Sequence, residues 1–231
     1  MHSLATLNAY ATEGGLDVPF RPATCFNPAI SLGRIAGPGE ALGLWHRYES
    51  LIDAAAHHAV THLRLDLSWA RIAPRPDVID EAALARYRNV VSYATSLGIV
   101  VSASASDGAW PSWLGHEPWI WPWTIAPTLD HLERVSTALP EVEHVSLFPI
   151  EWDITTGFLD GSMPPWRHNA RRDAARSREQ LAHITTTGLE RGTLRIGADA
   201  PRRALVAGTG PLASERPLLR PDQDSWAPCA D

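Results

Sequence analysis

The segment Trp45 to Pro74, WHRYESLIDAAAHHAVTHLRLDLSWARIAP, limits what this chain can fold into more than any other. Tyr48, Leu51, Ile52, Ala55 and Ala59 recur at helical spacing, so one face of a helix is apolar. From Val60 to Leu67 apolar residues alternate with Thr61, His62, Arg64 and Asp66, which predicts a strand. Arg64 and Asp66, at i and i+2, share the less apolar side of that strand. The strand empties into Ser68-Trp69-Ala70-Arg71. A helix feeding a strand that ends in polar and aromatic residues is one step of a βα barrel, where chemistry collects at the carboxyl ends of strands.

The same pattern recurs along the chain. Asp80 is placed to cap a helix whose buried face is Leu84, Tyr87, Val91, Ala94 and Leu97, with Gly98 as its stop. Ile99 to Ser106 is the next strand. Thr128 to Leu139 reads as a helix, Val142 to Phe148 as a strand, about Asn169 to Glu190 as a helix, and Leu194 to Ala200 as a strand. Ala23 to Leu32, interrupted by Pro28, is the candidate first strand after a polar lead-in over residues 1–20. The fold class expected is α/β: an incomplete TIM (β/α) barrel of about five parallel strands with outer helices, against the eight strands in roughly 250 residues of a complete barrel. Residues 1–210 form that domain, and residues 211–231 are a Pro-rich C-terminal tail.

Composition removes several function classes. The net charge is -6 and no run of Lys or Arg occurs, so nucleic acid is not an expected partner. No apolar stretch reaches membrane-spanning length. The first residues carry neither a basic start nor an apolar core, and the two cysteines, Cys25 and Cys229, read as reduced thiols, so a cytoplasmic protein is expected. His57, His58 and His62 lack accompanying carboxylates and are not read as metal ligands; no metal and no cofactor are expected. Five of the ten tryptophans fall between Trp110 and Trp123, in a Pro-rich loop.

The opening segment resembles glycoside hydrolase family 1, the retaining β-glycosidases. His46-Arg47-Tyr48, Arg64, Ser68-Trp69, Arg71-Ile72 and Pro74 follow that family's pattern without a gap, and Gly157 to Pro165 and Leu181-Ala182-His183 match later motifs. The resemblance implies a barrel and a sugar-like ligand, with the chain's departures bearing on activity. Ser31 to Gly37 is set against the family's A-Y-Q-I-E-G, which puts Arg34 at the sugar-gripping glutamine. Asp107 and Gly108 stand where the family has a sugar-binding His and a Trp. The acid/base glutamate aligns with Pro149, or with Glu151 after a two-residue slip, and no T-E-N-G nucleophile motif occurs in the sequence.

A retaining mechanism needs two carboxyl groups about 5 Å apart. The leading expectation is therefore a family 1-like protein that has lost the retaining machinery and binds a small polar or sugar-like ligand. Two alternatives stay open: an enzyme that uses a new carboxylate and arginine pocket, and an active β-glycosidase with Glu151 as acid/base. The candidate catalytic residues are Glu151 and Asp107; the candidate binding residues are Arg34, Arg64, Asp66, Trp69 and Trp152. Asp66 or Asp107 is also placed to neutralise Arg64, a purely structural role. Because five strands leave an open edge and an inner face expected to be apolar, a homodimer is the expected assembly.

Overall fold

The computed structural model describes residues 3–15, 23–149 and 173–195. Four parallel strands lie side by side in chain order, β1 (Leu4–Asn8), β2 (His62–Asp66), β3 (Val100–Ser104) and β4 (His144–Ser146). Between them run α1 (Ala9–Thr12), α2 (Asn27–Ser31), α3 (Leu44–His57), α4 (Trp69–Ile72), α5 (Glu81–Ser96) and α6 (Ile125–Ala138), and α7 (Ala174–Glu190) follows β4. The architecture is α/β, a partial TIM barrel with helices packed against parallel strands.

The helix and strand limits follow from local chemistry. The Asp80 carboxylate accepts from the Ala83 amide at 2.9 Å and opens α5; Gly98, at φ 78°, closes it in a left-handed conformation that suits glycine. The first strand is a correction. The stretch Ala23 to Leu32 is not extended: Asn27–Ser31 is a helical turn, and β1 lies in the lead-in at Leu4–Asn8. Pro28 explains the difference, because a proline that interrupts a strand is well placed in the first turn of a helix, where its missing N–H is not needed. Of the expected fifth strand only Leu194 and Arg195 lie within the described residues. Arg195 forms an isolated antiparallel bridge with Val145, and its guanidinium donates to the Leu139 carbonyl at 2.8 Å, capping the end of α6.

Strand register sorts the side chains into two faces. Leu65, Ala103 and Val145 stand in one row with Leu7 and are buried in the core with Ile52, Val91 and Leu132 from the helices. The opposite face carries Thr6, Arg64, Ser102 and His144 in one row, and Asn8, Asp66, Ser104 and Ser146 in the next. This inner face is polar, not apolar as expected, which removes the ground for a dimer across an apolar inner surface. The apolar work of the sheet is done on its helix side.

A buried ion pair fastens the segment after β1 to the helical layer. The Glu13 carboxylate meets Arg71 Nε at 2.9 Å and accepts from the Tyr87 hydroxyl at 2.6 Å. Arg71 also donates to the Gly14 carbonyl at 2.8 Å and lies over the Trp45 ring, 4.0 Å from its centroid. Burial pushes the Glu13 pKa up against the opposing pull of Arg71 and Tyr87. Gly14, at φ 81°, has no room for a side chain, since a Cβ there would collide with the Glu40 carbonyl. Arg71→Met should cost about 3–5 kcal/mol in urea unfolding, because it strands a buried carboxylate. Adding Glu13→Gln to that variant should restore part of the loss.

Candidate functional site

The inner polar row is laterally hydrogen-bonded. Asp66 sits at its centre. Its Oδ1 accepts from Ser104 Oγ at 2.8 Å and lies 3.2 Å from Arg64 Nε. Its Oδ2 is 3.4 Å from Asn8 Nδ2, which also donates to the Asp107 carbonyl at 3.1 Å. Ser146 Oγ donates to Ser104 Oγ at 3.2 Å or to the Phe148 carbonyl at 2.9 Å. One chain of polar contacts thus crosses β1, β2, β3 and β4 near their carboxyl ends. Arg64 and Asp66 are both buried, so the pair persists in a low-dielectric setting where the two charges attract strongly. The Arg64 charge and, above all, burial lower the His144 pKa.

Asp107 follows β3 and is buried. Its Oδ1 accepts from the Ala109 amide at 3.0 Å, while its Oδ2 has no hydrogen-bond partner among the described residues. Burial drives its pKa well above the usual carboxylate value; the Glu13 and Asp66 charges add to the rise, and backbone hydrogen bonding from Ala109 and Tyr10 opposes it. Asp107 also raises the pKa of Cys25, a buried free thiol in the turn before α2, although burial is the larger cause. A buried carboxyl group biased toward its protonated form can donate to or accept from a polar ligand.

The remaining expected site residues fall elsewhere. Arg34 is exposed beyond the end of α2. Trp69 is 1% exposed and cannot offer a ring face to a ligand. It stacks flat on His131, with centroids 4.4 Å apart, and meets Trp113 edge-on at 6.3 Å. Burial takes the His131 pKa down to about 4 and keeps the ring neutral, so that Nε2 donates to the Ala105 carbonyl at 2.7 Å. Glu151 and Trp152 lie outside the described residues. Pro149, at the ungapped acid/base position, is buried. Among the described residues no cluster of three or more His, Cys, Asp or Glu side chains could hold a metal ion, and no helix is long and apolar enough to cross a membrane.

Sequence reasoning missed Asn8, Glu13, Ser104, Ser146 and His131. A signal for Glu13 was present: Ala9-Tyr10-Ala11-Thr12-Glu13-Gly14, directly after β1, keeps four residues of A-Y-Q-I-E-G and sets Ala11 at the glutamine. That placement displaces the one over Ser31 to Gly37, and with it the reason for choosing Arg34.

Solved structures that this fold resembles include β-glucosidases. The β-glucosidase from Trichoderma harzianum superposes with a TM-score of 0.71 at 16% identity, covering 82% of this chain and 43% of that one. The family 1 β-glucosidase from Thermotoga maritima gives 0.71 at 15% identity, covering 82% and 46%. The virulence factor SghA, solved with its substrate analog salicin, gives 0.73 at 19% identity, covering 87% and 46%. The chain has a family 1 glycosidase-like fold. It spans less than half the length of these structures. No family model matches it, and neither does any curated protein.

The glycosidase-like barrel end therefore carries Asp107 where the resemblance sets a histidine. Its raised pKa has a stability consequence with a definite sign. The folded form holds its proton above the pH at which the unfolded chain releases it, so the native state loses stability as pH rises above about 4. Relative to Asp107→Asn, the parent protein should lose stability steadily between pH 4 and pH 7. Urea unfolding of both proteins across that range checks it, and comparison with the variant cancels the effect of His131.

Proposed function

We propose that this protein binds a small polar, sugar-like ligand at the carboxyl ends of its strands and does not carry out retaining glycoside hydrolysis. The observation that carries the reading is the buried Asp107 carboxyl beside the Asp66-centred row, whose Oδ2 has no hydrogen-bond partner among the described residues. A buried polar atom without a partner is unusual in a folded protein and points to a group that a ligand completes. Hydroxyl-rich ligands suit such a site, because they donate and accept at once.

Loss of hydrolysis is supported within the chain. Ala11, Asp107, Gly108 and Pro149 occupy the positions where the resemblance sets the glutamine, histidine, tryptophan and acid/base glutamate. Arg64, which in the family contacts the nucleophile, is here paired with Asp66. In this reading Arg64 and Asp107 face the ligand, and Arg34 and Trp69 do not. A second reading rests on the same oxygen: with its raised pKa, Asp107 is a candidate general acid in a different reaction.

4-Nitrophenyl β-D-glucopyranoside provides the test, as substrate and as ligand. We expect no turnover above the uncatalysed rate, and calorimetric binding weakened about tenfold (about 1.4 kcal/mol) by Asp107→Asn. Arg34→Ala should leave binding unchanged. Turnover abolished by Glu151→Gln would overturn the reading in favour of an active glycosidase.

A further inference from the structure

A second concave surface lies away from the Asp66 row and shares no residue with it. After β3 the chain makes three short 3₁₀ turns, Ser112–Leu114, Pro118–Ile120 and Pro122–Thr124, before entering α6. Trp119 is fully buried and meets Trp110 and Phe148 edge-on, at 5.8 and 5.0 Å. It anchors the segment, yet Trp121, two residues on, is 45% exposed. Gln180 of α7 locks the helix to this segment by donating to the Pro118 carbonyl at 3.0 Å and to Thr124 Oγ1 at 2.7 Å. Both walls of the cleft between them are therefore held in place.

The cleft has a volume of about 570 Å³, within the usual range for small-molecule sites of about 300–1,000 Å³. One wall is apolar: Ile120, Trp121, Pro122 and Ile125. The other is a polar stripe on α7, where Arg176, Glu179, Gln180 and His183 recur at the spacing of one helix face. Arg176 and Glu179 offset one another in charge, so the cleft favours a neutral guest over an ion. A large exposed indole beside hydrogen-bonding groups of both polarities matches a molecule with one C–H-rich face and an edge of hydroxyls. That description fits a pyranose ring.

We propose that this cleft binds a neutral hexopyranoside, with the sugar ring flat against Trp121 and its hydroxyls met by Arg176, Glu179 and His183. The site is independent of the barrel end and does not depend on the function proposed there.

The test follows the Trp121 indole N–H by NMR, assigned by its disappearance in Trp121→Phe, during titration with methyl β-D-glucopyranoside. The expected result is a saturable shift, a Kd at least tenfold weaker in Trp121→Ala, several-fold weaker in Glu179→Gln, and within twofold of the parent in Trp123→Ala. Glucose 6-phosphate should bind no more tightly than the neutral glucoside. Absence of a saturable Trp121 shift overturns the proposal, as does a Kd unchanged in both Trp121→Ala and Glu179→Gln. Binding abolished by Asp107→Asn but retained by Trp121→Ala assigns the sugar to the barrel end and overturns it too. Tighter binding of the phosphate overturns the neutral-ligand assignment. Circular dichroism of each variant confirms the fold, and Glu179→Gln carries the test should Trp121→Ala unfold.

Discussion

The Asp66 carboxylate is the interaction on which the rest of the barrel end depends. It gathers Arg64, Ser104 and Asn8 from three adjacent strands. Burying a charge is costly unless it is paired and hydrogen-bonded, and Asp66 is both. The row also specifies register. A slip of one residue in β2 would turn Arg64 and Asp66 into the apolar layer and bring Leu65 onto the polar face. The polar row and the leucine row thus enforce the same strand alignment from opposite sides.

Two buried acidic groups near this row have different standing. Glu13 is committed: Arg71 takes one oxygen and Tyr87 the other, and the cluster ties the chain after β1 to α4 and α5. Asp107 has one oxygen committed to Ala109 and one without a hydrogen-bond partner among the described residues. Among the described residues nothing completes that second oxygen, which is why the functional reading rests on Asp107 and not on the more elaborate Glu13 cluster. The same contrast separates the tryptophans: Trp69, Trp110 and Trp119 are core, while Trp121 is left at the surface of a cleft.

What the sequence disclosed depended on how strongly each element is patterned. β2 and α5 were legible because alternation, the Asp80 cap and the Gly98 stop agree with the structure. β1 was not, because LATLN is short and weakly apolar, whereas Ala23 to Leu32 offered a longer apolar run that Pro28 turns into a helix start. The Arg64–Asp66 pair could be read from their shared side of one strand. Ser104 and Ser146 could not, since a small polar residue in a strand gives no sign of its neighbour across the sheet until register is known. Trp69 illustrates the reverse error: an aromatic at a strand exit suggests a sugar platform, but His131, far along the chain, covers its face.

A double-mutant cycle between Arg64→Met and Asp66→Asn, measured by urea unfolding, tests most directly whether the Asp66-centred row organises this barrel end. The account expects each single change to cost several kcal/mol, because each leaves a buried polar or charged partner unmatched, and the pair to couple by at least about 1 kcal/mol. Additive costs, with the double variant losing the full sum of the singles, would contradict it.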